Sequence, residues 1–525
     1  MKNIPNRTKL IDRITNEKRW DIVIIGGGAT GLGAAVEAVT RGYKTLLLEQ
    51  YDFTVATSSR STKLVHGGVR YLAQGDIALV LEALKERGLL SKNAPHLVSN
   101  QSFLIPAYTW WYKPFYTLGL TFYDLLSGRL RFGKSVPYSR ENTLQKIPTL
   151  IRSKLRGSVL YHDGQFDDAR LGINLLQTCI ENGGTALNYC KVTGFLKKNG
   201  KITGVTAVDM ETQATFDIQS KIVLNATGVF VDQMIQKDNP KAQHIVKPSQ
   251  GVHIVIDQKF LQSDYALMIP KTKDGRVLFA VPWHHKVILG TTDVPKDKPL
   301  IEPRATTEEV DFILETAGRY LEHKPTRKDI KSVYAGLRPL AAPKKGKNGK
   351  TKEISRKHKI ITAPSGLVSI IGGKWTTYRE MGEDAVDRLS KLAGLPKKES
   401  ITEKFHIHGY KKEVNPKNPL YFYGADKEGI EGLINEQPHL GDYISNDLKI
   451  NKAQIVWAVR YEYARKVEDV LSRRTRALLL DARESMRMAP EVAQIMADEL
   501  DYDEQWVQDQ INEYTILAKG YLIND

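Results

Sequence analysis

The stretch "VIIGGGATGLGAAVEAVTRGYKTLLLEQ" leaves a chain few ways to fold. An apolar run from Asp21 enters three consecutive glycines, continues through an alanine-rich stretch, and meets a second apolar run ending at Glu49. That order reads as strand, turn, helix, strand. Gly26, Gly28 and Gly31 supply G-x-G-x-x-G directly after the first strand, where absent side chains let backbone amides and a helix N-terminus approach a pyrophosphate. Glu49 closes the next strand at the distance expected of a carboxylate that accepts a ribose hydroxyl. The same carboxylate disfavours a 2′-phosphate, since no arginine stands between the two negative groups. A bound dinucleotide is expected, NADP is disfavoured, and the glycines alone do not separate NAD from FAD.

At 525 residues the chain exceeds one ordinary hydrophobic core, so two or three domains are expected. Hydrophobic residues at 41% and charged residues at 26% exclude disordered and collagen-like classes. Cys179 and Cys190 are the only cysteines, too few for a disulfide framework or a cysteine-ligated metal, and a reducing intracellular setting with no metal is expected. The polar N-terminal segment lacks the apolar core of a signal peptide, and no run of about 18 apolar residues predicts a membrane span. A net charge of +16 suits nucleic acid, anionic lipid or a phosphorylated substrate. With no zinc-finger spacing or other nucleic-acid module, nucleic acid is not expected as a partner.

Residues 76 to 90 predict a helix with Ile77, Val80, Leu81 and Leu84 on one side. Between 185 and 300, short β-rich runs broken by "KKNGK" (197 to 201) and "KDGR" (273 to 276) predict a largely antiparallel sheet. Thr306 with Glu309 predicts a capping box for a helix that presents Val310, Leu314, Ala317 and Leu321 to that sheet. Residues 343 to 359, with eight Lys or Arg against one Glu, predict a solvated loop. Around 395 to 419, Lys, Pro and Gly mark a linker, and the helical patterns beyond it predict a separate domain.

Two further glycine signals follow apolar strands. "IVLNATGVF" at 222 to 230 reaches Gly228, in a turn suited to contacting a cofactor at the carboxyl edge of a nucleotide-binding sheet. "SIIGGKWTTYREM" enters Gly372 and Gly373 before a helix whose first amides can stabilise negative charge.

Taken together and in order, "GGGATGLG", "SSRSTKLVHGGVRYL", "DGQFDDARL", "NATG", "GVHIVI", "GTTDV", "GLRPL" and "GGKWTTYR" resemble the FAD-dependent glycerol-3-phosphate dehydrogenase family over residues 20 to 390. The helical tail resembles the family's C-terminal cap domain less specifically. The resemblance implies an α/β and α+β flavoprotein of the glycine-oxidase type: a doubly wound FAD-binding domain, an antiparallel-sheet substrate domain and a C-terminal helical cap. FAD parts are expected at about 20–90, 155–235 and 355–395, substrate parts at about 91–154 and 236–354, a linker at 396–419 and the helical domain at 420–525. It further implies oxidation of sn-glycerol 3-phosphate to dihydroxyacetone phosphate, with electrons passed from FAD to membrane quinone. The implied setting is peripheral, on the cytoplasmic face of the inner membrane at an anionic membrane surface, with room for a homodimer.

The same resemblance places roles on residues. Arg70, Arg338 and Lys374 are candidate phosphate-binding cations, since arginine's planar fork matches phosphate oxygens. His253 is the candidate base or alkoxide-orienting group, with Arg338 and Lys374 stabilising developing negative charge. His66, Gly67 and Tyr71 are expected at the flavin or substrate pocket, as are Gly373 and Thr376. Ser58, Ser59, Thr62 and Lys63 can present hydroxyls and a cation to flavin and pyrophosphate, and each also suits ordinary turn bonding. Asp168 and Arg170 read as structural, with Asp168 capping a helix.

"YTWWYKPFYTLGLTFY", from Tyr108 to Tyr123, suits either a membrane interface or packing against the substrate domain. Two other functions stay open: a soluble glycerophosphate oxidase that gives electrons to oxygen in the cytoplasm, and a non-catalytic flavoprotein sensor. No calcium loop is found in the tail.

Overall fold

In the computed structural model, which describes residues 7–72, 75–270, 272, 275–342 and 357–523, the first apolar run is the strand Trp20–Ile25 at the centre of a sheet. Thr215–Asn225 and Thr45–Leu48 flank it in parallel, and Val368–Ile371 and Thr185–Leu187 continue the parallel array outward. Strands of such a sheet are covered on both faces, so Ile22, Val23 and Ile24 are all buried and their sequence does not alternate. The helices Ala29–Thr40 and Tyr378–Ala393 touch backbone to backbone. A Cβ on Gly33 would lie 2.7 Å from the Tyr378 carbonyl oxygen.

The β-rich region from 185 to 300, expected as one sheet, divides between two. Cys190–Lys198 and Lys201–Asp209 form an antiparallel hairpin that joins the first half of Thr215–Asn225, whose second half is the parallel neighbour of Trp20–Ile25. Its turn places Asn199 and Gly200 at φ 51° and 72°, the double left-handed geometry that matches strand twist.

A second sheet begins with Val246–Asp257. Its order runs Val294–Pro295, Val246–Asp257, Lys286–Gly290, Leu278–Trp283, Ala266–Ile269, Val98–Pro106, Ser158–Phe166, Leu64–Val65, with Ser332–Ala341 on the other edge of Val246–Asp257. It is antiparallel apart from the pairing of Ala266–Ile269 with Val98–Pro106. The return to the FAD part, expected at about 155, therefore falls later. Ser158–Phe166 pairs along its whole length with Val98–Pro106, and the chain crosses back only at the helix Asp168–Glu181.

The helix expected from 76 spans Ile77–Asn93. Val80 and Leu84 are buried, but Ile77 and Leu81 are 43% and 45% exposed, which moves the packed face round to Leu79, Ala83 and Arg87. Arg87 turns that face toward the second sheet by pairing with Asp163 at 2.8 Å. The Thr306–Glu309 capping box forms as expected, and Val310 and Ala317 bury against the sheet while Leu321 buries just beyond the helix end. Residues 343–356 of the lysine-rich segment lie outside the described residues.

Beyond Gly394 the chain is strapped to the first domain rather than loosely linked. Thr402 Oγ1 donates to Glu37 at a short distance, and the His408 ring lies between two carboxylates, Glu181 at 2.8 Å and Asp426 at 2.9 Å. The helices Lys427–Glu436, Lys452–Tyr461, Ala482–Leu500 and Glu504–Lys519 follow, the second with its own capping box from Asn451 and Gln454. Burial works to lower the pKa of His408, but the two carboxylates outweigh it and raise it to about 9. The raised value stabilises the fold in full below the ordinary histidine value near 6.5, and that contribution is lost as pH rises through about 9. Thermal melts from pH 6 to 10 should show this loss in the wild type, and His408→Gln should start lower and flatten the slope.

Candidate functional site

Where Trp20–Ile25 ends, Gly26 takes φ +106°, and a Cβ there would lie 2.8 Å from the Ala226 carbonyl oxygen, so only glycine fits. The turn leads into Ala29–Thr40, whose first amide donates to Ser58 Oγ at 2.9 Å. Gly31 presses on the Gly26 backbone and serves helix–strand packing. Glu49 accepts N–H bonds from Gly27 at 2.6 Å and Tyr51 at 2.9 Å, and burial raises its pKa. Gly26, Gly28, Glu49, Gly228 and Gly373 line one cavity of about 190 Å³.

A second cavity of about 290 Å³ opens between the two sheets and shares Thr57, Pro339, Gly372, Gly373, Lys374 and Trp375 with the first. The joined space is bounded by a helix N-terminus and the Glu49 carboxylate at one end and by the second sheet at the other. Its residues fit an extended dinucleotide whose redox ring lies at the junction.

His253, on Val246–Asp257, faces this second cavity beside Thr62, whose Oγ1 is 2.8 Å from Nε2. Its ring stacks on Tyr334 at 4.8 Å, and a Cβ on Gly290 across the ladder would strike it. Burial, then the charges of Arg338 and Lys63, hold its pKa well below 6.5, so the ring is neutral. Arg338 comes from the adjacent strand and donates to Asp293 at 3.3 Å, Thr291 Oγ1 at 3.1 Å and the Thr292 carbonyl at 3.2 Å. Lys374 follows Val368–Ile371 and sets its ammonium 4.6 Å from the Tyr71 ring centre. Trp375 Nε1 donates to the Ser58 carbonyl at 2.8 Å, and the His66 amide donates to Thr376 Oγ1 at 3.3 Å. Arg70 lies in the short helix Val69–Leu72, with its side chain outside the described residues.

Three expected cofactor contacts are elsewhere. Lys63 is fully buried in an ion pair with Asp168 at 2.7 Å and donates to the Ser59 carbonyl at 2.6 Å, so it reaches neither cavity. Ser59 is buried and lines neither cavity. Gly67 is a packing position, where a Cβ would strike Leu84 and the Tyr123 hydroxyl. The helix at 168 is capped by Asp167, which accepts the Arg170 amide at 3.1 Å. Asp168 instead gathers Lys63 and the Ser61 hydroxyl and amide.

Sequence reasoning missed Asp293, Asp163 and Arg60, all at the second cavity. Asp293 and Asp163 stand inside "GTTDV" and "DGQFDDARL", but an acidic side chain in a strand or its end carries no signal of the arginine it restrains.

Residues 21–379 match the FAD dependent oxidoreductase family, and residues 369–507 match the C-terminal domain of alpha-glycerophosphate oxidase. The mitochondrial glycerol-3-phosphate dehydrogenase of Saccharomyces cerevisiae is 34% identical over 95% of this chain and 90% of its own length. The chain belongs to the FAD-dependent glycerol-3-phosphate dehydrogenases. The crystal structure of the glycerol-3-phosphate dehydrogenase from Bacillus halodurans, complexed with FAD, superposes with a TM-score of 0.80 at 30% identity, covering 98% of this chain and 97% of that one. Glycine oxidase from Geobacillus kaustophilus shares the fold over 76% of this chain and 100% of its own, with a TM-score of 0.55 at 16% identity. FAD is thus the dinucleotide of this family member, and the expected flavoprotein architecture with its helical C-terminal domain stands.

The Lys63–Asp168 pair supports the bend between Ser61 and Leu64 from beneath. Lys63→Met would strand a buried carboxylate and should cost about 3–5 kcal/mol of stability, measured by urea unfolding of the holoenzyme. Asp168→Asn, which leaves a buried ammonium facing an amide, should also destabilise.

Proposed function

We propose that the protein oxidises sn-glycerol 3-phosphate to dihydroxyacetone phosphate and passes the electrons to membrane quinone. The observation that carries this reading is the convergence of a neutral His253 with Arg338 and Lys374 in the cavity that opens onto the cofactor space. Bound FAD supplies the hydride acceptor. Arg338 and Lys374 bind the phosphate and stabilise negative charge on the alcohol oxygen, and Tyr71 backs the Lys374 ammonium. The neutral His253 ring, with Nε2 2.8 Å from the cavity-lining Thr62 Oγ1, is the acceptor for the hydroxyl proton.

Anaerobic glycerol 3-phosphate should bleach the flavin absorbance. A holoenzyme that stays yellow would be a sensor rather than an enzyme. Reduction of decyl-ubiquinone should exceed peroxide formation in air, and the reverse ratio would make it an oxidase. His253→Asn should lower kcat by about 10²–10⁴-fold while retaining flavin. Because its pKa is depressed, His253 stays unprotonated as pH falls through 6.5, and kcat/KM should show no decline from this group there.

The helix Tyr112–Ser127 supports a membrane setting. Leu120 and Tyr123 bury inward, while Trp111, Phe115, Leu118, Phe122 and Leu125 recur every three or four residues along an outer stripe, with Leu118 76% exposed. Such a stripe is unusual on a water-facing helix, and exposed Arg129, Arg131 and Lys134 lie beyond its end. No helix among the described residues is long and apolar enough to cross a membrane, which is consistent with peripheral attachment. Sedimentation with vesicles containing phosphatidylserine should capture the wild type. Phe115→Ser with Leu118→Ser should weaken capture at least tenfold and leave glycerol 3-phosphate oxidation by a soluble dye in place.

A further inference from the structure

Near the end of the chain, Tyr521 is linked through Glu302 to Arg60, which lines the second cavity. Tyr521, 4% exposed, accepts the Val333 amide on its carbonyl at 2.8 Å, which fixes it beside the strand that carries Tyr334 and Arg338. Its hydroxyl donates to Glu302 Oε2 at 3.0 Å. The other oxygen of Glu302 takes the guanidinium of Arg60, which also donates to the Ile301 carbonyl at 2.5 Å. Arg304 closes over the Tyr521 ring at 5.2 Å, in space that only a glycine at 520 leaves open.

Arg60 lines the substrate cavity, but its guanidinium is spent on the protein. Its carbonyl rests on Gly336, where a Cβ would lie 2.9 Å away. It is the anchor of a segment from which three side chains meet the site: Thr57 donates to the Leu337 carbonyl at 2.6 Å, Ser58 accepts the Ala29 amide, and Thr62 holds the His253 ring. The match to the glycerophosphate oxidase C-terminal domain ends at residue 507, so this contact lies outside the matched region.

We infer that Tyr521 is a positioning residue for the reaction: through Glu302 and Arg60 it sets the segment that presents Thr62 to His253. The inference rests on the proposed reaction of the site.

The test uses full-length holoenzyme and four variants: Tyr521→Phe, Glu302→Gln, Thr62→Val and the Tyr521→Phe/Thr62→Val double variant. Tyr514→Phe, which alters a buried tyrosine of the helix Glu504–Lys519 that precedes Tyr521, is the structural control. Tyr521→Phe should lower kcat/KM for glycerol 3-phosphate about fivefold to tenfold, the size of one ordinary hydrogen bond, with unchanged flavin content, while Tyr514→Phe matches the wild type. Because the two residues act in one chain of contacts, the double variant should lose no more than Thr62→Val alone. Glu302→Gln keeps the shape and removes the charge, and it should reproduce the Tyr521→Phe loss even if that variant folds poorly. Wild-type kcat/KM in Tyr521→Phe and Glu302→Gln, or full additivity with Thr62→Val, would overturn the inference. A wild type that fails to oxidise glycerol 3-phosphate at all would instead overturn the reading of the site.

Discussion

The Lys63–Asp168 ion pair is the contact on which the site's geometry depends. Both side chains are excluded from solvent, and the ammonium is further covered by the rings of Trp283 and Tyr334 at 5.3 and 5.5 Å. Lys63 holds a left-handed backbone with φ 62°, a conformation that costs a non-glycine residue about 1–2 kcal/mol. That cost is borne because one carboxylate collects the Lys63 ammonium and the Ser61 amide and hydroxyl together. The result is a fixed bend between Ser61 and Leu64, with Thr62 pointing back to His253 and Leu64–Val65 entering the second sheet. A cation that sequence reading places near flavin and pyrophosphate is thus consumed in fastening this bend to the helix Asp168–Glu181.

The helical domain is tied to the same region by buried arginines. Arg473 and Arg474 converge on Asp52, three residues past Glu49; Arg170 meets Glu462; Arg476 meets Asp167 at 2.7 Å. Buried pairs gain little net stability over apolar packing, but removing one partner is expensive, so their effect is to specify a single docking geometry. Asp167 shows the economy of the arrangement: it caps the helix Asp168–Glu181 with one oxygen and receives Arg476 with the other. The C-terminal domain therefore braces the cofactor strand end, the Lys63 loop support and, through its terminal tyrosine, the substrate cavity.

Local chemistry was readable in the sequence wherever a backbone requirement selects a residue type. The glycine turn at 26 to 31, the Asn199–Gly200 hairpin and the Thr306–Glu309 box each form as their residues require. What could not be read is which partner a side chain finds across the fold. Lys63 carries the right group for a phosphate site and is turned away by Asp168, 105 residues from it in the chain. Ile77 and Leu81 fit a helical face that nothing covers. The aromatic run from 108 to 123 divides in the fold: one helix buries Tyr123 on Asp163 and leaves Phe115 and Leu118 exposed.

The electrostatics of His253 follow from the same crowding of cations. Burial alone disfavours imidazolium, and Arg338 and Lys63 add repulsion, so the free site holds a neutral but weakly basic ring. On the proposed reading a phosphate dianion sits against Arg338 and Lys374, and it offsets part of the positive field at the ring. Proton affinity at His253 then rises when substrate binds, which is when a base is needed. Asp293 limits the effect by already pairing with Arg338, and it keeps the guanidinium aimed into the cavity before any anion arrives. Lys63, sealed against Asp168, is not reached by that anion and continues to disfavour a lasting imidazolium. On the same reading, the proton taken from the alcohol is held only weakly, so the base is restored for the next turnover.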